Sequence, residues 1–433
     1  MAKVQFKEEK MVLKRERVAL PDQHQNFWQM ASIQSAAFGI PVLNFGANLG
    51  IKHGPGPALI TICIGNLLLW LVGLAIIAMT IKDRKNAIEN FKDYIGKYGC
   101  WLAGFSLSLA FLFWFPLQIK GAMSGIKTVL EPYTNLTATF DIRIGTFLGL
   151  AIALLSIGGI KLIRWFNVLS FPLLLIFILY AVIKNASFPV FAGSWKISTS
   201  AFFSAVLASI AITLATVVNL PTFFRHRRSE VDAYFALSIF IFFTALIECL
   251  AVFLVNDQSG EFFTKYLNYN PFNTFLIILF LIVSMFCVNF TNIYFASAVW
   301  EAIFPWVSRS RELAIIGMGG TLTFVFFQAQ EIMAYLESLL TTFIGILGIV
   351  MLIGYAIKKV VNHRERRLEL FISTMCWMIG CFVAVLFQDI KLKHSTLSFF
   401  SGSGISTLLF IFVLFIEESL WAFKKIVSRK NWI

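Results

Sequence analysis

Apolar residues in this chain come in runs of about twenty, separated by short polar stretches rich in Lys and Arg. About 20 mostly apolar residues, rising about 1.5 Å each, carry a helix across the hydrocarbon core of a bilayer. The pattern predicts twelve spanning helices. In the first half they cover 28–50, 57–81, 101–127, 143–160 and 165–184. The second half gives 201–221, 234–256, 272–298, 312–329 and 333–357, and two more follow at 369–388 and 402–422. An even number puts both chain ends on one side.

The polar stretches choose the side, because Lys and Arg collect in short cytoplasmic loops. With the N-terminus inside, 27 of the 36 Lys and Arg fall on the cytoplasmic side and 8 on the other; Lys120 lies within a span. A missed or invented span would scramble this bias. The expectation is therefore a multi-pass protein of the plasma (inner) membrane with a cytoplasmic N-terminal tail (1–27) and a cytoplasmic C-terminal tail (423–433).

Composition agrees. The chain is 58% hydrophobic and 14% charged, where a soluble chain carries about a quarter charged residues. The net charge of +13 is explained by the loops, so no nucleic-acid partner is expected; the partners are the lipid bilayer and a small-molecule solute. Six cysteines form no CxxC pair and no Cys/His cluster, which excludes a zinc site and a disulfide framework. The five histidines all fall in loops. Gly-Ile-Lys127-Thr128 has the wrong spacing for a phosphate loop. No catalytic residues, metal site or cofactor are expected, and the chain reads as no enzyme.

Candidate chemistry lies in the polar residues of four spans. The first packs Gln34, Gly39, Pro41, Asn44, Gly46 and Asn48 into one apolar run. Pro41 removes a backbone donor and the glycines permit non-helical dihedrals, so this span is expected to break around Gly39–Gly46 and offer free backbone groups to an ion or solute. A kinked, closely packed helix is the competing account. On the third span, Trp114, Gln118, Gly121 and Gly125 share one narrow face. An indole can stack on a flat heterocycle and a carboxamide can pair with a ring amide; interhelical packing is the alternative. Asn289 and Asn292 share a face of the eighth span and need a partner or a cavity. Glu248 and Glu337 are ionisable groups inside spans, either protonatable coupling groups or structural ones.

These residues in this order resemble the nucleobase–cation symporters of the cytosine, purine and hydantoin permease type, in the amino acid–polyamine–organocation superfamily, from the first span to about the tenth. Gly65-Asn66 is similar to that family's Gly-Asn pair. Trp114 and Gln118 resemble its stacking Trp and pairing Gln. Asn219-Leu-Pro221-Thr222-Phe223-Phe-Arg225 resembles its Asn-Ile-Pro-Asp-Phe-Thr-Arg, and Asn289 through Tyr294 its Asn-rich eighth helix. Thr222 stands where the family has Asp, Thr213 near its second stacking Trp, and Cys287 and Val288 near its sodium-binding Ser/Thr pair.

The resemblance implies an all-α membrane fold with a five-plus-five inverted-repeat, leucine-transporter-like core over 28–357 (repeats 28–184 and 201–357) and two additional helices over 358–422. It implies a solute site between the first, third, sixth and eighth helices. Substrate-binding candidates are Trp114, Gln118, Asn289, Asn292, Gly39, Asn44 and Thr213; ion-coupling candidates are Gly39, Pro41, Glu248 and Glu337, with Na+ or H+ as the ion. The function expected is a cation-coupled permease for a nucleobase-like heterocycle. An amino-acid or amine permease of the same fold is the alternative, and a channel or membrane-embedded enzyme a remote one.

Overall fold

The computed structural model describes residues 24–37, 39–82, 84–137, 139–185, 197–253, 270–303, 309–326, 330–361, 367–387 and 401–413. Most of the two tails lies outside these residues. The described residues are mostly helical, and each predicted span coincides, as far as it is described, with a helix or a pair of helices. The first span is α1 (Phe27–Ala36) followed by α2 (Gly39–His53). Then come α3 (Pro55–Thr80), α4 (Ala87–Leu130), α5 (Phe140–Ser156) and α6 (Gly159–Asn185). The second repeat holds α7 (Thr199–Asn219) with the short α8 (Pro221–Phe224), α9 (Glu230–Val252), α10 (Pro271–Ile303), α11 (Arg309–Phe326) and α12 (Gln330–Val361). Two helices follow, α13 (Arg367–Leu386) and α14 (Ser401–Val413).

Among the described residues, seven helices are by themselves long and apolar enough to cross a membrane. The first span misses that measure because it is interrupted. The apolar stretches 312–326, 371–386 and 401–413 are shorter. Large apolar side chains cover the outer surface, with Trp165 71% and Ile183 79% exposed, as a surface facing lipid requires.

Local sequence sets the boundaries. Asn26, Asn86 and Ser229 each accept a hydrogen bond from the backbone three residues on, and Gln29, Glu89 and Asp232 return it; these reciprocal caps satisfy orphan N–H groups at helix starts. Gly96, at φ 68° and ψ −176°, divides α4 into a short helix at the basic end and the long third span. The short helix was not expected from the hydropathy pattern, because its apolar residues fill only one face.

The helices pack in two groups. In one, α9 lies against α1, α2 and α3, and α3 against α7. In the other, α10 runs along α4, and α11 packs on both α4 and α5. The broken first span and α7 thus belong to one group, α4 and α10 to the other, and the cavity lies between them.

Candidate functional site

A cavity of ≈ 80 Å³ lies where the first span is interrupted. At about 10–15 Å³ per water it has room for several waters. Its walls come from both groups of helices. Gln34 and Ala37 stand at the break, Trp114 and Gln118 on α4, Thr213 and Thr216 on α7, Thr244 on α9, Thr291 and Asn292 on α10, and Thr341 on α12. Phe111, Phe240 and Phe295 add apolar wall. Among the described residues that line it there is no Asp, Glu, Lys, Arg or His.

The break falls earlier than the sequence suggested. Helix α1 ends at Ala36, and Ala37 (φ −85°, ψ 29°) donates its N–H back to the Gln34 carbonyl at 3.2 Å. The stretch 39–46, expected to be unwound, is the helical start of α2. Pro41 supplies the reason: in a continuous helix its ring would meet the carbonyl four residues back, that of Ala37, and supply no N–H to it. The helix stops there and restarts with Pro41 in its first turn, where a missing N–H costs nothing. Gly46 serves packing instead. A Cβ there would collide with the Glu248 backbone carbonyl.

The structure brings Trp114, Gln118, Thr213 and Asn292 together on the cavity wall. It does not bring Asn289 or Asn44 to it. Asn289 is fully buried behind the wall: its Nδ2 donates to the Phe115 carbonyl at 3.5 Å and its Oδ1 accepts from Asn292 Nδ2 at 3.5 Å. It orients Asn292 and ties α10 to α4. Asn44 is exposed on α2, because a helix restarted at Gly39 has a new phase. Gly39 and Pro41 open α2, and the surroundings of Gly39 and the side chains of Pro41 and of Glu337 on α12 lie outside the described residues.

Gln34 was not among the binding candidates. It is 2% exposed and faces the cavity, and neither Oε1 nor Nε2 has a partner among the described residues. Thr213 Oγ1 is likewise buried and unpartnered. Buried polar atoms are rarely left so; aimed into a cavity, they are available to a ligand. The signal for Gln34 was its place three residues before the break, which only the break's position reveals.

Toward the basic end the cavity is closed in layers. Phe111 and Phe295 stack at 4.9 Å, and Phe223 meets both Phe295 and Tyr294 at 4.8 Å. Beyond them His226 Nε2 lies 2.6 Å from the Tyr294 hydroxyl, and Arg225 pairs with Glu301 at 3.0 Å. Burial opposes the charge on Arg225, but Glu301 and Tyr294 outweigh it and keep the guanidinium protonated. Arg227 donates to the Ile81 carbonyl, and Gln25 and Arg227 form a parallel bridge. Thr222, at the family's Asp position, donates to Asn219 Oδ1 at 2.7 Å and accepts from the Ala87 N–H at 3.2 Å. The hydroxyl thereby caps the short helix of α4.

One nitrogen donor bridges the seam between the first and eighth spans. Asn167 Nδ2 of α6 reaches the Ile33 carbonyl at 3.2 Å and Thr291 Oγ1 at 3.4 Å. Cys287 and Val288, near the family's sodium-binding Ser/Thr pair, bring a thiol and an isopropyl group. Hard cations want oxygen ligands, and these two side chains supply none.

No protein-family model matches the chain, and no curated protein matches it. Solved structures do. The chain is similar to Mhp1, a nucleobase-cation-symport-1 family transporter, in a closed conformation with bromovinylhydantoin bound (TM-score 0.63, 16% identity, 91% of this chain and 93% of that one). It is similar to a Na+-coupled sialic acid symporter in a substrate-bound outward-open state (TM-score 0.65, 13% identity, 92% of each chain). It is also similar to the Eremococcus coleocola manganese transporter (TM-score 0.58, 13% identity, 91% of this chain and 97% of that one). The fold is therefore the leucine-transporter-like, five-plus-five inverted-repeat fold of secondary transporters, with two helices added after the core. All three of these structures are of transporters, not enzymes.

Proposed function

We propose that this chain is a cation-coupled secondary transporter that moves a small, neutral, polar heterocycle of the nucleobase class by alternating access. The observation that supports it most is the cavity wall: an indole and three carboxamides, Gln34, Gln118 and Asn292, with hydroxyls and, among the described residues, no ionisable side chain. A ring amide has adjacent donor and acceptor atoms, which carboxamides complement, and a flat face, which Trp114 can cover. A free amino acid carries two charges, and no described side chain on this wall neutralises either. Among the similar structures, Mhp1 with its bound hydantoin agrees with this reading better than the sialic acid symporter does.

The group of α1, α2, α3, α7 and α9 would rock against α4, α5, α10 and α11, opening the cavity to each side in turn. The layered closure at the basic end then works as the gate on that side, which the charge bias assigns to the cytoplasm.

A thermal-shift screen of purified protein with cytosine, hypoxanthine, hydantoin and a panel of amino acids tests this. A ligand binding only the folded state raises the melting temperature with concentration. At least one flat neutral heterocycle should stabilise the protein, and Trp114→Ala should weaken its binding by about 1–3 kcal/mol, roughly 5- to 150-fold. Stabilisation by amino acids alone overturns the substrate class and favours the amino-acid permease.

A further inference from the structure

Glu248 sits in the second half of α9, fully buried. Asn66 Nδ2 of α3 donates to its Oε2 at 2.7 Å, while its Oε1 has no hydrogen-bond partner. Ser209 of α7 is its other polar neighbour, and Gly46 of α2 presses on its backbone carbonyl. One carboxyl thus stands at the junction of α2, α3, α7 and α9, the group of helices that holds the break.

The packed elements bring no charge to it. Helices α1 and α7 contain no ionisable residue. Helix α2 carries Lys52 and His53 only at its far end, and α3 carries Cys63 alone. On α6, Lys161, Arg164 and Lys184 lie near the ends, with Tyr180 between. On α9 itself, Glu230, Asp232 and Tyr234 occupy the first turns and Cys249 is adjacent. A buried carboxylate without a cation is costly, and its single firm contact is an amide donor.

A path joins it to the cavity. Glu248 lies one turn beyond Thr244, and Ser209 one turn beyond Thr213, and both threonines line the cavity. Among the described residues Thr213 Oγ1 is buried without a partner, and Ser209 Oγ is buried with the Glu248 carboxyl as its polar neighbour. Hydroxyls can accept one proton and donate another, so they lead from cavity water to the carboxyl.

We propose that Glu248 is where the coupling cation binds and that this cation is a proton, reaching the carboxyl from the cavity along Thr213 and Ser209. Oε1 accepts the proton and later returns it, with no other bond made or broken. The amide N–H2 that Asn66 turns toward the carboxyl disfavours a metal ion, and a proton needs no cavity of its own. The inference rests on the transporter reading and specifies its driving ion.

Infrared difference spectroscopy on purified protein, stepped from acid to alkaline buffer without solute, tests it. The wild type should lose a protonated-carboxyl C=O band. Glu248→Gln should show loss of that band change, and Glu248→Asp should keep it, which guards against a misfolded Gln variant. Hydrogen–deuterium exchange of α2 and α9 should follow the same pH step in the wild type and not in Glu248→Gln. A band change retained in Glu248→Gln, or exchange that responds to sodium chloride rather than to pH, overturns the proposal. Cytosine and hypoxanthine binding form a separate arm. If neither binds while the pH response stays with Glu248, the substrate reading fails and the proton site stands.

Discussion

The two repeats open with helices in equivalent places, yet one is broken at the cavity and the other is not. The first span stops at Ala36 and restarts at Gly39. Its counterpart α7 runs unbroken from Thr199 to Asn219, past every cavity residue it supplies, and yields only at Leu220–Pro221. Both interruptions sit where a proline dictates. Pro41 bars the bond to Ala37 in mid-span; Pro221 bars the bond to Val217 near the end of α7. Moving the proline to the end moves the irregularity from the cavity to the basic end, where α8 carries Arg225 and His226 into the closure. The first span therefore offers the cavity a helix end and Gln34, and α7 only side-chain hydroxyls.

The largest effect is expected at the end of α7. Glu301→Ala leaves Arg225, 3% exposed, without its carboxylate. Breaking one partner of a buried pair costs about 3–5 kcal/mol, and the melting temperature should fall accordingly; an unchanged value would mean that the closure does not depend on this pair. Next comes the restarted half of the first span. Gly46→Ala places a methyl against the Glu248 backbone, and overpacking of this kind costs about 1–3 kcal/mol. The matched control is Gly404→Ala on α14, where a Cβ meets nothing within 4 Å. Equal melting temperatures for the two variants would dissolve the claimed close approach.

Much of this architecture was legible in the residues. The spans show because lipid demands long apolar runs and the loops collect Lys and Arg. Trp114 and Gln118 were found by helical spacing, since α4 is regular where they stand. The first span defeated the same method. Spacing cannot be counted through a break, so Gln34, Asn44 and Asn48 looked alike; the structure puts Gln34 on the cavity and leaves Asn44 and Asn48 exposed. Thr244 and Thr341 were invisible because a single hydroxyl in an apolar helix usually returns to its own backbone, as Thr244 does to Phe240 at 2.9 Å.

Two substitutions compare the repeats at the cavity itself. Gln34→Leu removes both unpartnered atoms beside the break. It should weaken heterocycle binding by about 1–3 kcal/mol while leaving the melting temperature unchanged or higher, because a buried unsatisfied group costs the folded protein free energy. Thr213→Val removes one hydroxyl from the unbroken helix and keeps its shape. A single neutral hydrogen bond is worth about 0.5–1.5 kcal/mol, so binding should weaken only about 2- to 13-fold. The ratio of the two effects is the informative quantity. If Thr213→Val costs as much as Gln34→Leu, the solute is held equally by both repeats and the asymmetry of the backbone has no counterpart in recognition. If Thr213→Val also lowers the melting temperature, its hydroxyl has a structural partner, and the second repeat contributes packing rather than contact.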